Sequence, residues 1–235
     1  MNKLYVVGTP IGNLEDITLR ALRILKEVNY IACEDTRVTR KLLGLYEIQD
    51  KKLLTYNNFT EKNSAKGLLK ILEQGENLAV VSDAGMPVMS DPGFEIIKQA
   101  RLAGYEIEII PGVNAAVTAF VGSSFNTTFT FMGFMKDKSQ QRLNSFENLQ
   151  VGTYVYYVSP HKLINSLQDL ETFFQDQVQI CLAKELTKMH ETWFFGTPKE
   201  ILEQLQEVSV KGEFTLVLNL PKVKRVKVSK YAKNS

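Results

Sequence analysis

Short apolar runs alternate with stretches of helical spacing along the first half of the chain. Five runs have the length and content of buried strands, at residues 3–8, 30–33, 52–56, 78–82 and 106–110. Apolar residues at helical spacing predict helices over residues 17–28, 39–45, 61–74 and 94–103, with another starting at residue 115. Because strands alternate with helices throughout, this half is predicted to form a parallel sheet with right-handed crossovers, an α/β fold.

The pattern changes near residue 122, where small and polar residues have the composition of a hinge. Beyond it, strands are predicted at residues 127–132, 154–158, 179–184 and 213–220, and helices at 162–174 and 198–205. Hairpin-like and helical segments mix here, so we expect a smaller, mixed α/β domain packed on the first. The predicted organisation is an N-terminal domain over residues 1–121, a C-terminal domain over 122–220 and a basic tail over 221–235.

Composition is that of an ordinary globular protein, with 235 residues, 44% hydrophobic and 23% charged. No apolar run reaches the roughly 18 residues that a membrane helix needs. The two cysteines, Cys33 and Cys181, lie far apart, which is typical of a reducing cytoplasm and leaves no cysteine zinc site. His161 and His190 lack the HExxH spacing, so no metal is expected.

The charge is unevenly distributed along the chain. Six of the 28 basic residues lie in residues 221–235 without an acid, and the remaining 22 stand against 26 acidic residues, a balance of −4. A basic tail on an acidic body indicates a polyanionic partner. A solubilising chain terminus explains the tail alone equally well.

Two common nucleotide signatures are absent. Gly8 and Gly12 follow the first strand, but the GxGxxG order is missing and Pro10 interrupts the loop. The GxxxxGK[ST] sequence of P-loops is missing too. A tight strand-to-helix turn is therefore predicted at residues 8–12, against which a different nucleoside-bearing ligand could still lie.

Two strand-end loops, residues 80–93 and 111–116, are rich in small and rigid residues. Gly85 permits close backbone approach, and Pro87 holds its loop in shape before anything binds. Because ligands of open α/β sheets bind beyond the carboxyl ends of the strands, we expect both loops to form the floor of a ligand site. Such pre-organised backbone suits an adenosine and an amino-acid head group. Asp91 to Gly93 are interpreted as the cap of the next helix.

Charged residues follow two other strands. Glu34, Asp35 and Arg37 stand at the end of the second strand, where the acids either orient a hydroxyl or pair with Arg37. A helix N-cap at Asp35 or Thr36 is at least as good an explanation for a single residue. The charge-dense segment 184–191 follows a later strand and has no metal-binding spacing.

Taken together, these segments resemble one family over nearly the whole chain. The matching segments are residues 4–18, 33–37, 82–87, 90–93, 111–112, 185–191 and 212–214. In this order they resemble ribosomal RNA small-subunit methyltransferase I, a family within the tetrapyrrole methylase superfamily. Each segment alone is weakly specific, and the combination is highly specific.

The resemblance implies a two-domain enzyme, usually a homodimer, with S-adenosylmethionine bound in the cleft that the C-terminal domain closes. It implies methylation of the ribose 2′-hydroxyl of a cytidine in the decoding region of 16S rRNA, within the small ribosomal subunit. The positions that match the family's donor contacts are Pro10, Asp83, Gly85, Met86, Pro87, Asn114 and Ala115. The reaction needs no metal, and the candidate general bases are Asp35, Glu34 and Glu185.

RNA binding is expected to rest on basic side chains that can contact phosphates. These are Arg37, Lys136, Lys138, Arg142, Lys162, Lys184, Lys188 and the basic tail. Two alternatives remain open: a relative that methylates a tetrapyrrole or a protein side chain, and a ribosome-binding assembly factor without catalysis. The second is kept open by departures from the family pattern at Val158, Lys162 and Lys184; Met86 and Asn114 also depart from it.

Overall fold

The computed structural model describes residues 2–57 and 61–222. Its strands are β1 Lys3–Val7, β2 Tyr30–Cys33, β3 Lys52–Thr55, β4 Leu78–Val81, β5 Glu106–Ile110, β6 Thr130–Phe134, β7 Gly152–Val158, β8 Gln179–Lys184, β9 Thr192–Gly196 and β10 Phe214–Leu220. Its helices are α1 Leu19–Glu27, α2 Thr36–Leu45, α3 Glu61–Glu73, α4 Phe94–Leu102, α5 Ala115–Ser123, α6 Ser139–Phe146, α7 Leu163–Phe174 and α8 Pro198–Gln204.

The first sheet is parallel throughout, in the order β3-β2-β4-β1-β5, as predicted. Successive residues of β1 enter different cores: Leu4 packs with α3 and α4, whereas Tyr5 packs with α1. Both faces of the central strands are therefore covered, which explains why these strands read as continuous apolar runs. Their carboxyl ends form one edge of the sheet.

The second sheet is mixed, in the order β6-β7-β10-β8-β9. β6 and β7 are parallel, and the other pairs are antiparallel. Helices α6, α7 and α8 cover one face through a core that includes Leu167 and Leu216. Helix α5 covers the opposite face through Ala116 and Ala119. The α/β class with a parallel sheet and a separate mixed sheet is confirmed.

Helix α5 joins the two sheets. It follows β5 of the first sheet, yet its buried face packs on Val155 and Val217 of the second. The approach is close: a Cβ added at Gly122 would lie 2.3 Å from Cη2 of Trp193. Because α5 runs through residue 121, the division into residues 1–121 and 122–220 stays a proposal.

Two elements of the second half were not predicted, and one was displaced. α6 buries only Arg142 and Phe146, so it lacks the apolar periodicity that predicts a helix. β9 directly follows the charge-dense segment 184–191, and its aromatic run is too short to be recognised as a strand beside these charges. The strand predicted at residues 127–132 is β6 at Thr130–Phe134. Of the predicted basic tail, residues 223–235 lie outside the described residues.

Among residues 2–57 and 61–222, none of the helices combines the length and the apolar content that crossing a membrane requires.

Candidate functional site

A cavity of about 370 Å³ lies between the carboxyl edge of the first sheet and the second sheet. The first half of the chain lines it with strand-end loops, and the second half with β6, β7 and β10. The lining residues are Ile11, Glu34, Asp83, Ala84, Gly85, Met86, Met89, Ser90, Asp91, Asn114, Ala115, Phe134, Tyr157, Val158, Ser159, Pro160, Glu213, Phe214 and Thr215. Five predicted donor contacts are among them: Asp83, Gly85, Met86, Asn114 and Ala115.

The loops after β1 and β4 are locked to each other by backbone hydrogen bonds. Thr9 N–H donates to the Gly85 carbonyl at 2.9 Å, and Gly85 N–H donates to the Thr9 carbonyl at 3.1 Å. Gly85 has φ +80°, which an L-residue rarely adopts. A Cβ added at Gly8 would lie 2.7 Å from Cα of Gly112 and 2.6 Å from Sδ of Met86. The three strand ends therefore form one preformed floor.

The two prolines predicted as donor contacts lie behind this floor. Pro10 is buried and lines a neighbouring groove. Pro87 is buried and packs toward Gly93, where an added Cβ would meet Cβ of Pro87 at 3.5 Å. Neither is among the cavity-lining residues, so both shape the loops that line it.

Three carboxyl groups meet at the cavity: Glu34, Asp83 and Asp91. Burial raises the pKa of Glu34 to about 7, with further contributions from the negative charges of Asp91 and Asp83. Burial raises the pKa of Asp91 to about 6, against a hydrogen bond from Ser82. Within the described residues, Oε1 of Glu34 is buried without a hydrogen-bond partner. The cavity can therefore hold one or two protons near neutrality or receive a cation.

The interpretation of Asp91 to Gly93 as the cap of the next helix is right for Gly93 and wrong for Asp91. The N-cap of α4 is Gly93, at φ 140°, and it makes no side-chain capping bond. Asp91 instead lines the cavity. The backbone at Val88 and Ser90 has φ of 77° and 74°, and this left-handed path carries the chain around the cavity.

Asp35 and Arg37 form a surface pair at the start of α2. Asp35 is the N-cap, and its Oδ1 accepts from Arg37 N–H at 2.8 Å. The Arg37 guanidinium also bonds both Asp35 oxygens, which lowers the pKa of Asp35 to about 2. The Asp35 N–H donates to Oδ1 of Asp83 at 3.1 Å. Asp35 is thus an ionised cap that orients Asp83.

Glu185 connects two loops in the second half of the chain through hydrogen bonds. Its Oε1 accepts from Lys188 Nζ at 2.9 Å and from Glu213 N–H at 2.8 Å. Burial alone raises the pKa of Glu185, but these two hydrogen bonds outweigh burial and bring it below its ordinary value. Glu185 does not appear in the cavity lining, and its oxygen is committed to these partners.

The basic side chains predicted to bind RNA are dispersed. Lys136 and Lys138 are exposed near α6, and Lys162 is half-buried before α7. Lys184 donates to the Ser209 carbonyl at 2.6 Å, and Lys188 pairs with Glu185 and Glu213. Arg37 has 86% of its side chain exposed, with its guanidinium paired to Asp35.

Arg142 was wrongly predicted to contact RNA. Its side chain is 2% exposed and its Nε bonds Oδ2 of Asp169 at 2.6 Å. Its Nη1 donates to the carbonyls of Lys136 and Asp137, both at 2.8 Å. Arg142 therefore ties the start of α6 to α7 and presents no free charge at the surface.

The sequence did not predict the cavity wall that the second half of the chain contributes. Tyr157 carries a hydroxyl that hydrogen-bonds the Asn114 side chain and the Ala116 backbone, which joins the second sheet to the start of α5. Phe134 packs edge-on against Tyr157 with ring centroids 5.5 Å apart. The alternation within β7 shows that Tyr156 and Tyr157 face opposite sides, but it does not show which side meets the cavity.

Comparison with known proteins now places the chain. The family model for tetrapyrrole (corrin/porphyrin) methylases matches residues 3–202. The chain is 50% identical over 218 residues to ribosomal RNA small subunit methyltransferase I of Mycoplasmopsis pulmonis, covering 92% of this chain and 97% of that protein. It is 41% identical over 230 residues to the protein of the same name from Mesomycoplasma conjunctivae, covering 97% and 96%.

Solved structures agree on the fold. A uroporphyrin-III-C-methyltransferase from Thermus thermophilus superposes with a TM-score of 0.67 at 20% identity, covering 93% of this chain and 94% of that one. At this identity the likeness concerns the fold alone. The chain therefore belongs to the tetrapyrrole methylases, a family of S-adenosylmethionine-dependent methyltransferases, and within it to the group of ribosomal RNA small subunit methyltransferase I.

Proposed function

We propose that this protein transfers a methyl group from S-adenosylmethionine to the ribose 2′-hydroxyl of a cytidine in the decoding region of 16S rRNA, on the small ribosomal subunit. The observation that carries the proposal is the cavity between the two sheets, floored by the loops that match the family's donor contacts. Its relatives, named as small-subunit rRNA methyltransferases, support RNA as the acceptor. The cytoplasm, where ribosomal subunits assemble, is the proposed location.

The cavity residues fit the chemistry of this donor. Its volume of about 370 Å³ suits a small organic ligand. Met86, Phe134 and Tyr157 supply apolar and aromatic surface, and Asn114 and Ala115 line the cavity at the start of α5, where a helix N-terminus favours a carboxylate. The orphaned Oε1 of Glu34 and its neighbour Asp91 favour a cationic group. When bound, S-adenosylmethionine supplies an activated methyl group on a sulfonium.

The residues of the chain have three tasks in this reaction. The rigid floor at Gly85 and Met86 positions the donor, so that the acceptor oxygen meets the methyl carbon in line. Tyr157 and Phe134 cover the cavity and exclude water. A carboxylate accepts the proton that leaves the 2′-hydroxyl, because the neutral hydroxyl is a weak nucleophile.

Among the three predicted bases, we assign this last task to Glu34. It lines the cavity, and a pKa of about 7 lets it be ionised and still accept a proton at neutral pH. Burial is the main cause of this raised pKa, and the charges of Asp91 and Asp83 add to it. Asp35 and Glu185 serve as positioning residues, since their oxygens are already engaged.

RNA binding in this proposal uses the exposed cations Arg37 and Lys138 together with Lys162, Lys184, Lys188 and the tail.

A homodimer is also proposed. It is supported by Val117 and Val121, two large apolar side chains that α5 leaves exposed. Light scattering at micromolar concentration tests the dimer directly.

The function is tested by incubating the protein with methyl-labelled S-adenosylmethionine and unmodified small subunits, then mapping the label. The expected result is label on one cytidine ribose of the small-subunit RNA. Label in a protein, or donor binding without any transfer, contradicts the proposal.

Asp83→Ala should weaken donor binding in calorimetry at least tenfold, whereas Asp137→Ala, an exposed control near α6, should leave it unchanged.

A further inference from the structure

A second groove lies beside the donor cavity and is not used by the chemistry above. Its volume is about 550 Å³, and it is bounded by residues 10–14 on one side and α2 on the other. Ile11, Asp83 and Ala84 line both the groove and the cavity. These three residues are therefore a shared wall between the two spaces.

Helix α2 turns an unpartnered apolar stripe toward this groove. Val38, Leu42 and Leu45 line it at spacing i, i+4 and i+7, and the cation Lys41 lies on the same helix face. The core of the first domain is served by other positions, since Thr39 and Leu43 are the buried residues of α2. Val38 is 42% exposed and Leu45 is 54% exposed. The stripe is thus additional to what the fold requires.

The far end of the groove is built by a close contact between the domains. The stem of Lys188 lies on Gly12, where an added Cβ would come within 2.4 Å of Lys188 Cγ. Asn13 N–H donates to Oγ1 of Thr187 at 3.1 Å, which holds the two loops together. Gly12 is therefore needed so that the Lys188 stem can close this end.

The charges around the groove are complementary to a phosphodiester. Lys41 and Lys188 line it, and the exposed Arg37 stands one turn before Lys41 on α2. Lys188 and Arg37 are each also paired within the protein, with Glu185 and Asp35. An apolar floor between cations matches a nucleoside whose neighbouring phosphates reach the rim. Among the described residues, Asp83 is the one carboxylate that lines both spaces, and carboxylate oxygens accept hydrogen bonds from ribose hydroxyls.

We infer that this groove is the acceptor subsite, which holds the base and ribose of the target nucleotide turned out of its RNA, with the 2′-hydroxyl at the shared wall. The inference rests on the proposed function and adds the place of the acceptor to it. A base unstacked from its RNA needs an apolar surface in place of its neighbours, and the α2 stripe supplies that surface. Because Ile11, Asp83 and Ala84 line both spaces, the two spaces adjoin here, and a 2′-hydroxyl at this boundary can meet the methyl group directly.

The kinetic test places a carboxylate on the stripe. Leu45→Glu is compared with Leu102→Glu, a control on α4 whose native side chain is 79% exposed and lies outside the groove. Because loss of a base contact weakens binding by about 10- to 100-fold, Leu45→Glu should lower kcat/KM for small subunits by that factor. Its donor affinity should stay within about twofold of the wild type. Leu102→Glu should change neither quantity.

A cross-linking test identifies what occupies the groove. The native thiols Cys33 and Cys181 are both buried, so Leu45→Cys can be labelled selectively with a photoreactive group, with Leu102→Cys as the control. After illumination with small subunits, the group at position 45 should cross-link to RNA next to the methylated nucleotide, and the control should not. A cross-link to a second copy of the chain or to a ribosomal protein overturns the inference.

The two levels of the proposal fail differently. If wild-type protein labels no RNA ribose, the proposed function and the acceptor subsite fall together. If wild type labels the RNA but Leu45→Glu keeps full kcat/KM, only the subsite is wrong. An equal loss of donor affinity in Leu45→Glu also contradicts it, because the damage would then lie in the donor cavity.

Discussion

The carboxyl group of Glu34 should make donor binding depend on pH. Its pKa of about 7 means that about one tenth of it is ionised at pH 6 and about nine tenths at pH 8. Asp91 and Asp83 face it, and the pKa of Asp91 is about 6. A cationic donor favours the ionised carboxylates. We therefore expect its affinity to rise as pH rises from 6 to 8.

The magnitude follows from these values. If binding requires ionised Glu34, donor affinity increases about tenfold between pH 6 and pH 8, which is ~1.4 kcal/mol. Asp91, half-ionised at its pKa of about 6, adds a further factor of about two. In the variant Glu34→Gln, the tenfold rise in donor affinity with pH should disappear, and the twofold rise that Asp91 causes should remain. At pH 8 it should bind the donor about tenfold more weakly than the wild type.

Calorimetry at several pH values provides the assay. S-adenosylhomocysteine is the reference ligand, because it carries the same ammonium and carboxylate without the sulfonium charge. The affinity ratio of the two ligands then isolates the effect of the sulfonium. Glu147→Gln, an exposed glutamate after α6, is the matched control. An equal pH slope in wild type and Glu34→Gln, or a slope of opposite sign, would refute the reasoning.

The stability of the donor-free protein should change in the opposite sense. The folded pKa of Glu34 lies above its ordinary value of 4.5, so the native state binds the extra proton between these values. Stability is therefore greatest below about pH 4.5 for this group and falls as pH rises through about 7. Partial exposure reduces the effect to ~1–2 kcal/mol. Urea denaturation at pH 5.5 and 8 should show this loss in the wild type and not in Glu34→Gln.

Three further outcomes are expected. Arg142→Ala should lower the free energy of unfolding in urea by ~3–5 kcal/mol, because it leaves the carboxylate of Asp169, which is 17% exposed, without its partner. The double variant with Asp169→Ala should recover part of this loss, and a double variant as unstable as Arg142→Ala would contradict the ion-pair role. Gly122→Ala should cost ~1–3 kcal/mol because its Cβ overlaps Trp193, with Trp193→Leu as the relieving second change. Affinity for small subunits should fall steeply between 50 and 200 mM salt, by about tenfold or more, and a salt-independent affinity would contradict phosphate contacts.

The first half of the chain was predictable because its strands, loops and caps follow from patterns among neighbouring residues. Short apolar runs such as Leu78–Val81 are buried on both faces, so alternation with helices was enough to give the parallel sheet. Loops that follow such strands share one edge, and this brought Asp83 and Asn114 together as expected. The Asp35 N-cap was foreseen for the same reason, since capping involves only neighbouring residues.

The features that the sequence did not predict depend on contacts between residues distant in the chain. Arg142 has the sequence context of a surface cation, and only the position of Asp169, 27 residues later, makes it a buried pair. Asp91 precedes a helix as a cap would, but the turn through Val88 and Ser90 directs it into the cavity. The aromatic wall at Tyr157 requires knowledge of how the second sheet docks on the first, which no pattern within β7 contains.

The methyl donor is expected to occupy the cavity between the two sheets. A crystal structure of the protein with S-adenosylhomocysteine tests it most directly. We expect the ligand to lie against Gly85 and Met86, with its carboxylate at the start of α5 and its sulfur facing the residues shared with the α2 groove. A ligand seated elsewhere, for example in the groove between residues 10–14 and α2, would contradict both the donor site and the acceptor subsite derived from it.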